Sequence, residues 1–173
     1  MSVHCARIRT VRRTAGRVQD ARIVGGVTPE RRCADALGRL LLRDTRTGLH
    51  SALTGGIDGL DATTYPVLSG LARLGDGVST TELAAAVGLE RSVASRHVNT
   101  LEAHGLLLRR PHGTDRRAVA VALTDAGRAA VDRTRGRLDA RLERLLSGLD
   151  RAEADRFATV LEGVVEGLRD PAR

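Results

Sequence analysis

The chain has 173 residues, 42% of them apolar, and a net charge of +7, so it can bury the core of one domain and leave room for a tail. Tyr65 and Phe157 are its only aromatic residues, which excludes the base-stacking platforms of proteins that grip RNA loops or single strands. No apolar run approaches the roughly 20 residues needed to span a bilayer, and a soluble protein is expected.

All 28 basic residues are arginine, which we read as coding bias towards GC-rich codons rather than as function. Residues 1–32 hold eight Arg against Asp20 and Glu30; the other 141 residues carry 20 Arg against 19 acids. That first stretch reads as a basic, flexible N-terminal tail. It lacks the apolar core of about 7–15 residues that a signal peptide requires. Two readings stay open for it: an arm on DNA phosphate, or a segment with no role of its own. His4-Cys5 reads as a solvated pair, not a metal site.

From about Cys33 to Leu53, Leu37, Leu40, Leu41, Leu42 and Leu49 give one helix a broad apolar face. Gly55, Gly56 and Gly59 make a loop. Thr64 is placed to cap the next helix, with Pro66 in its first turn where a missing N–H costs nothing. Val67, Leu68, Leu71 and Leu74 form its stripe, and Gly75-Asp76-Gly77 ends it.

Ser79 with Glu82 three residues on is a capping box that opens a short helix. Gly88 breaks that helix, and a second runs from about Glu90 to His104 with Val93, Val98 and Leu101 inward. Gly105 ends it. Two short helices joined at a glycine read as a helix-turn-helix. Leu106–Arg110 then reads as a strand, PHGTD as a loop, and Arg117, Val119, Val121 and Leu123 alternate as a returning strand. Thr124 caps a long helix over about Asp125–Ser147. Its Val131, Leu138, Leu142, Leu145 and Leu149 recur at heptad-like steps. Asp150 caps a last helix carrying Phe157, Val160, Leu161, Val164, Val165 and Leu168. The fold class expected is mainly α with a small β-hairpin wing: a winged helix-turn-helix (61–124) flanked by terminal dimerisation helices (33–60 and 125–173). Those terminal helices carry more apolar surface than one small winged helix can cover, which points to a homodimer.

The exposed face of the second short helix offers Arg91, Ser92, Ser95, Arg96 and Asn99. These are base-reading types: Arg forks onto guanine O6 and N7, Asn pairs with adenine, and Ser serves bases or phosphate. His97 is either a packed or solvated residue or a further base reader. Residues 90–117 carry six Arg against three acids, a charge focused on one face. No Ser-His-acid elbow, phosphate loop, HExxH or paired-Cys motif appears, so neither an enzyme, a metal nor a cofactor is expected.

Leu83, Ala84, Val87, Gly88 and Leu89, SVASR (92–96), LEAHGL (101–106), DRR (115–117) and LTDAGR (123–128) together resemble the MarR (multiple antibiotic resistance regulator) family of bacterial transcription factors. The similarity of layout extends over about residues 33–168. The resemblance implies a dimeric DNA-binding regulator, a repressor of an adjacent gene, acting in the cytoplasm at the nucleoid on a pseudo-palindromic operator in double-stranded DNA. It places Ser92, Ser95, Arg96 and Asn99 at the major groove. It makes Arg117 the wing arginine, with Arg116 beside it as a second minor-groove contact or a solvated charge, and Asp115 as the partner holding the tip. It also implies that the first helix and the last two interlock across a two-fold axis, through Leu37, Leu41, Leu138, Leu142, Leu145, Leu149, Phe157, Leu161 and Val164. Many relatives bind a small aromatic or anionic effector between the dimer helices and the winged helix. Arg43, His50 and Tyr65 either line such a pocket or are ordinary surface and core-edge residues. A peroxide-sensing cysteine would fall near Leu40, not Cys33, so redox sensing is disfavoured. The alternative function is a winged-helix protein-interaction module without specific DNA binding.

Overall fold

The structure is a computed structural model that describes residues 27–112 and 115–169, with the side chains of residues 112–118 outside the description. Asp115, Arg116 and Arg117 are among those side chains. The described residues divide between Leu40 and Leu41 into two compact units, each taken by itself below. The first contains most of helix α1 (Pro29–Leu41), which starts earlier than the apolar stripe indicates. Proline fixes the φ that a first helical turn needs. Thr28 Oγ1 accepts from the Arg31 amide at 3.3 Å, and Arg31 pairs with Asp35 one turn on.

The continuous helix expected over about Cys33–Leu53 is instead two. At Leu42 the backbone turns extended (φ −59°, ψ 141°) and α2 (Arg43–Thr54) begins. No proline or glycine marks the break, so the leucine stripe conceals it.

The second unit continues with α3 (Tyr65–Leu74), β1 (Val78–Ser79), α4 (Thr80–Val87), α5 (Arg91–Ala103), β2 (Leu107–His112), β3 (Asp115–Leu123), α6 (Asp125–Leu146) and α7 (Arg151–Arg169). The sheet is antiparallel with order β1-β3-β2. Val78 pairs with Val121, and Leu107 with Leu123. Strand β2 runs on through Pro111 and His112, into residues whose composition reads as loop. It lies at the sheet edge, where proline's missing donor is tolerated, and its register shifts there. Val119, which alternates with Val121 along the strand, is exposed, whereas Val121 is buried.

The core joins Val67, Leu68 and Leu71 of α3 to Leu83 of α4, Val98 and Leu101 of α5, and Val121 and Leu123 of β3. Ala130 and Val131 of α6 close it. From there the expected seam divides. Val131 is buried in the winged helix, whereas Leu142, Leu145 and Leu149 are exposed, as are Phe157, Leu161 and Val164. No residue of α7 is buried. Among the described residues, no helix is long and apolar enough to cross a membrane.

The entry to α3 departs from expectation. Thr64 is already helical (φ −85°, ψ −24°) and makes no side-chain cap bond. Asp61 instead accepts from the amides of Thr63 (2.7 Å) and Thr64 (2.8 Å) and from both hydroxyls, while Thr64 Oγ1 accepts from the Asp61 amide. Partial burial alone would raise the Asp61 pKa; the hydrogen bonds from Thr63 and Thr64 outweigh it and bring it from 3.8 down to about 2. A folded pKa below the unfolded one stabilises the fold above about pH 4, and that contribution is lost as pH falls towards about 2. The side chain is exposed, so screening limits it to about 1 kcal/mol. Asp61→Asn should therefore flatten the acid limb of the stability curve by that amount, read from urea midpoints at about pH 5 and about pH 2.5. An unchanged limb would exclude this turn as a source of acid sensitivity.

Candidate nucleic-acid interface

Local chemistry fixes the helix-turn-helix. Ser79 Oγ accepts from the Glu82 amide at 3.2 Å, and Glu82 Oε2 accepts from the Ser79 amide at 2.8 Å, closing the capping box. Gly88 ends α4 in the left-handed region (φ 68°), open to residues without a Cβ, and the Leu89 amide returns to Ala84 O. Helix α5 then starts at Arg91 with Glu90 as its cap residue.

Helix α5 buries Ala94, Val98 and Leu101, with Val93 half-buried at the margin. Ala94 takes a core position that the larger neighbouring valines obscure in the sequence. The opposite face presents Arg91, Ser92, Arg96 and Asn99 to solvent. Ser95 is half-buried, a consequence of its place beside Ala94. His97 is half-buried too and turns towards a cavity rather than to that face.

The wing is tied back to the helices at its root. Asp76, which the sequence offers only as part of a Gly-Asp-Gly terminator, accepts from the Leu123 amide at 2.8 Å and from Arg128 at 2.9 Å. The Leu123 amide, aided by Arg128, holds the Asp76 carboxyl below its ordinary pKa. Thr124 caps α6 by accepting from the Gly127 amide, and its hydroxyl donates to Gly105 O at 2.6 Å. Nearer the reading face, Arg109 of β2 donates to Asn99 and pairs with Glu102, both on α5.

Behind α5 lies an open cavity of about 1110 Å³. Arg43, His50 and Tyr65 all line it, so the structure brings these three together. The His50 and Tyr65 rings lie 4.9 Å apart, tilted by 57°, and His50 Nδ1 is 3.2 Å from Ala62 O. Arg46, Arg73 and Arg135 join them from three helices, giving a basic lining that no sequence spacing could disclose. Cys33 is an exposed free thiol. Leu37 is half-buried and Leu41 exposed.

Residues 58–118, from the loop before α3 into the wing, match the model of the MarR family. The winged helix is a MarR-family one. Bordetella bronchiseptica BpsR is 26% identical, with a TM-score of 0.52 over 75% of this chain and 98% of that one. A Silicibacter pomeroyi MarR-family regulator is 25% identical, with a TM-score of 0.60 over 83% of this chain and 94% of that one. Apo MarR from E. coli is 20% identical, with a TM-score of 0.61 over 80% of this chain and 98% of that one. No curated protein matches the chain in sequence. The Silicibacter pomeroyi neighbour is described as a transcriptional regulator of the MarR family. The MarR layout of helices and a three-stranded sheet is the one described above.

Proposed function

We propose that this protein is a homodimeric repressor of an adjacent gene, binding a pseudo-palindromic operator in double-stranded DNA. The observation that carries the reading is the face of α5: Arg91, Ser92, Arg96 and Asn99 stand exposed while the opposite face is locked into the core. Side chains that read bases need such a rigid scaffold. In this reading Ser92, Ser95, Arg96 and Asn99 enter the major groove with Arg91 beside them. Arg116 and Arg117, supported by Asp115, reach the adjacent minor groove from the wing. The basic residues 1–32 add phosphate attraction without sequence choice. The protein acts at the nucleoid, in the cytoplasm.

The unburied apolar faces of α6 and α7 support the dimer. Leu138, Leu142, Leu145, Leu149, Phe157, Leu161 and Val164 would form its two-fold interface. A lone protein rarely leaves so much contiguous apolar surface in water.

The cavity supports an effector. Arg43, Arg46, Arg73 and Arg135 line it together with the His50–Tyr65 pair and one acid, Asp44, a net-basic lining suited to a small carboxylate with an aromatic or apolar body. The structure of BpsR is described as one of regulation of its DNA binding by 6-hydroxynicotinic acid. Relief of repression by such an anion is the corresponding proposal here.

Two arginines test the DNA reading because they should fail differently. Arg96→Ala should cost about 1–3 kcal/mol and relax base preference at one position. Arg117→Ala should weaken specific and non-specific duplexes alike and lower the salt slope by about one unit. Mobility shifts over a salt series measure both. Unchanged binding in both variants would remove the DNA-facing assignment of these residues, whereas wild-type protein with neither sequence preference nor a steep salt slope would favour a winged-helix module that docks a protein partner.

A further inference from the structure

The Arg109 guanidinium lies between two residues of α5. One nitrogen, Nη2, donates to Asn99 Oδ1 at 2.5 Å, while Nη1 pairs with the Glu102 carboxylate. Both charged side chains are about two-thirds covered (32% and 36% exposed), whereas Asn99 stands at the solvent face. Asn99 and Glu102 are one helical turn apart, so a planar fork can engage both at once.

We infer that Arg109 is a positioning residue that sets which base Asn99 reads; the inference rests on the proposed reading of DNA by α5. A free asparagine amide turns easily about χ2 and can present either end outward. Its fork onto adenine uses both ends, Oδ1 accepting from N6 and Nδ2 donating to N7. Here a charged donor on the wing holds Oδ1, and the ion pair with Glu102 holds that donor. The amide is left with its NH₂ directed away from the wing. It therefore offers its NH₂ donor, for which guanine presents two acceptors, N7 and O6, against the single N7 of adenine or O4 of thymine. Adenine N6 and cytosine N4, which donate, compete with the charged Arg109 donor for Oδ1, so the adenine fork is weakened. The wing thus fixes sequence preference from a strand that need touch no base.

The test compares base preferences selected from a random-sequence duplex library by the full-length protein and by Asn99→Ala, Arg109→Ala and Glu102→Gln. Thermal melts accompany each variant. The wild type should favour guanine at one position of each half-site by about tenfold, the discrimination of one good base contact. Asn99→Ala should bring that preference within about twofold of none. Arg109→Ala should also abolish it, or turn it towards adenine, although Asn99 remains. Glu102→Gln, which keeps the donor to Asn99, should retain it. If Arg109→Ala fails to fold, Glu102→Gln/Arg109→Met carries the same expectation, since it removes both charges and strands neither. A position whose preference is lost in Asn99→Ala but intact in the folded Arg109 variant would overturn the inference and leave DNA reading by α5 standing. A library that wild-type protein does not enrich would overturn that reading itself.

Discussion

Gly127→Ala is expected to destabilise the protein by about 3 kcal/mol or more, although alanine is the better helix former. Gly127 lies in the first turn of α6, against the start of the wing. A Cβ there would stand 2.0 Å from Leu106 O, 3.0 Å from Leu106 C and 3.3 Å from Leu123 Cδ2. Two of those atoms are backbone and cannot swing aside. Relief requires α6 to lift from β2, which would strain the Thr124 amide to Leu106 O and the Thr124 hydroxyl to Gly105 O. Gly136, further along the same helix, has nothing within 4 Å of its added Cβ. Gly136→Ala should therefore be neutral or stabilising by up to about 1 kcal/mol. The urea midpoint should fall for Gly127→Ala and stay or rise for Gly136→Ala, and a similar fall in both would refute the packing argument.

The second large effect is expected at Leu142. It is 42% exposed in the single chain, so an aspartate there meets water and the fold should survive. In the proposed dimer the same carboxylate would be buried without a partner, a cost of several kcal/mol after relaxation. Leu142→Asp should give a folded monomer by light scattering and circular dichroism. Its affinity for a palindromic operator should fall by at least about a hundredfold, because one recognition helix covers only one half-site. A Leu142→Asp protein that remained dimeric at micromolar concentration would place the interface elsewhere.

What the sequence discloses and what it hides divide by distance along the chain. The Ser79–Glu82 box, the Gly88 turn, the Thr124 cap and Asp150, whose Oδ1 accepts from the Glu153 amide, involve residues at most five positions apart. All were legible. So was the inward face of α5, except that Ala94 is buried and too small to stand out. Features with distant partners were not legible. Asp76 finds its partners 47 and 52 residues away, and two-residue β1 exists only because β3 returns to pair with it. Arg109 reads in sequence as one of two arginines ending a strand; only the fold sets it against Asn99 and Glu102. The basic lining of the cavity is scattered from Arg43 to Arg135. The break at Leu42 has no local signal at all, and the shift of the cap from Thr64 to Asp61 is a choice between two competent residues three apart.

The central claim is a two-fold protein reading two half-sites with α5. Fluorescence anisotropy on a selected palindromic duplex, and on the same duplex with one half-site scrambled, tests it most directly. A scrambled half-site changes several base pairs at about 1–3 kcal/mol each, so full-length protein should bind the intact palindrome at least about a hundredfold more tightly. Both duplexes should also lose affinity steeply with salt. Equal affinity for the two duplexes would contradict the claim.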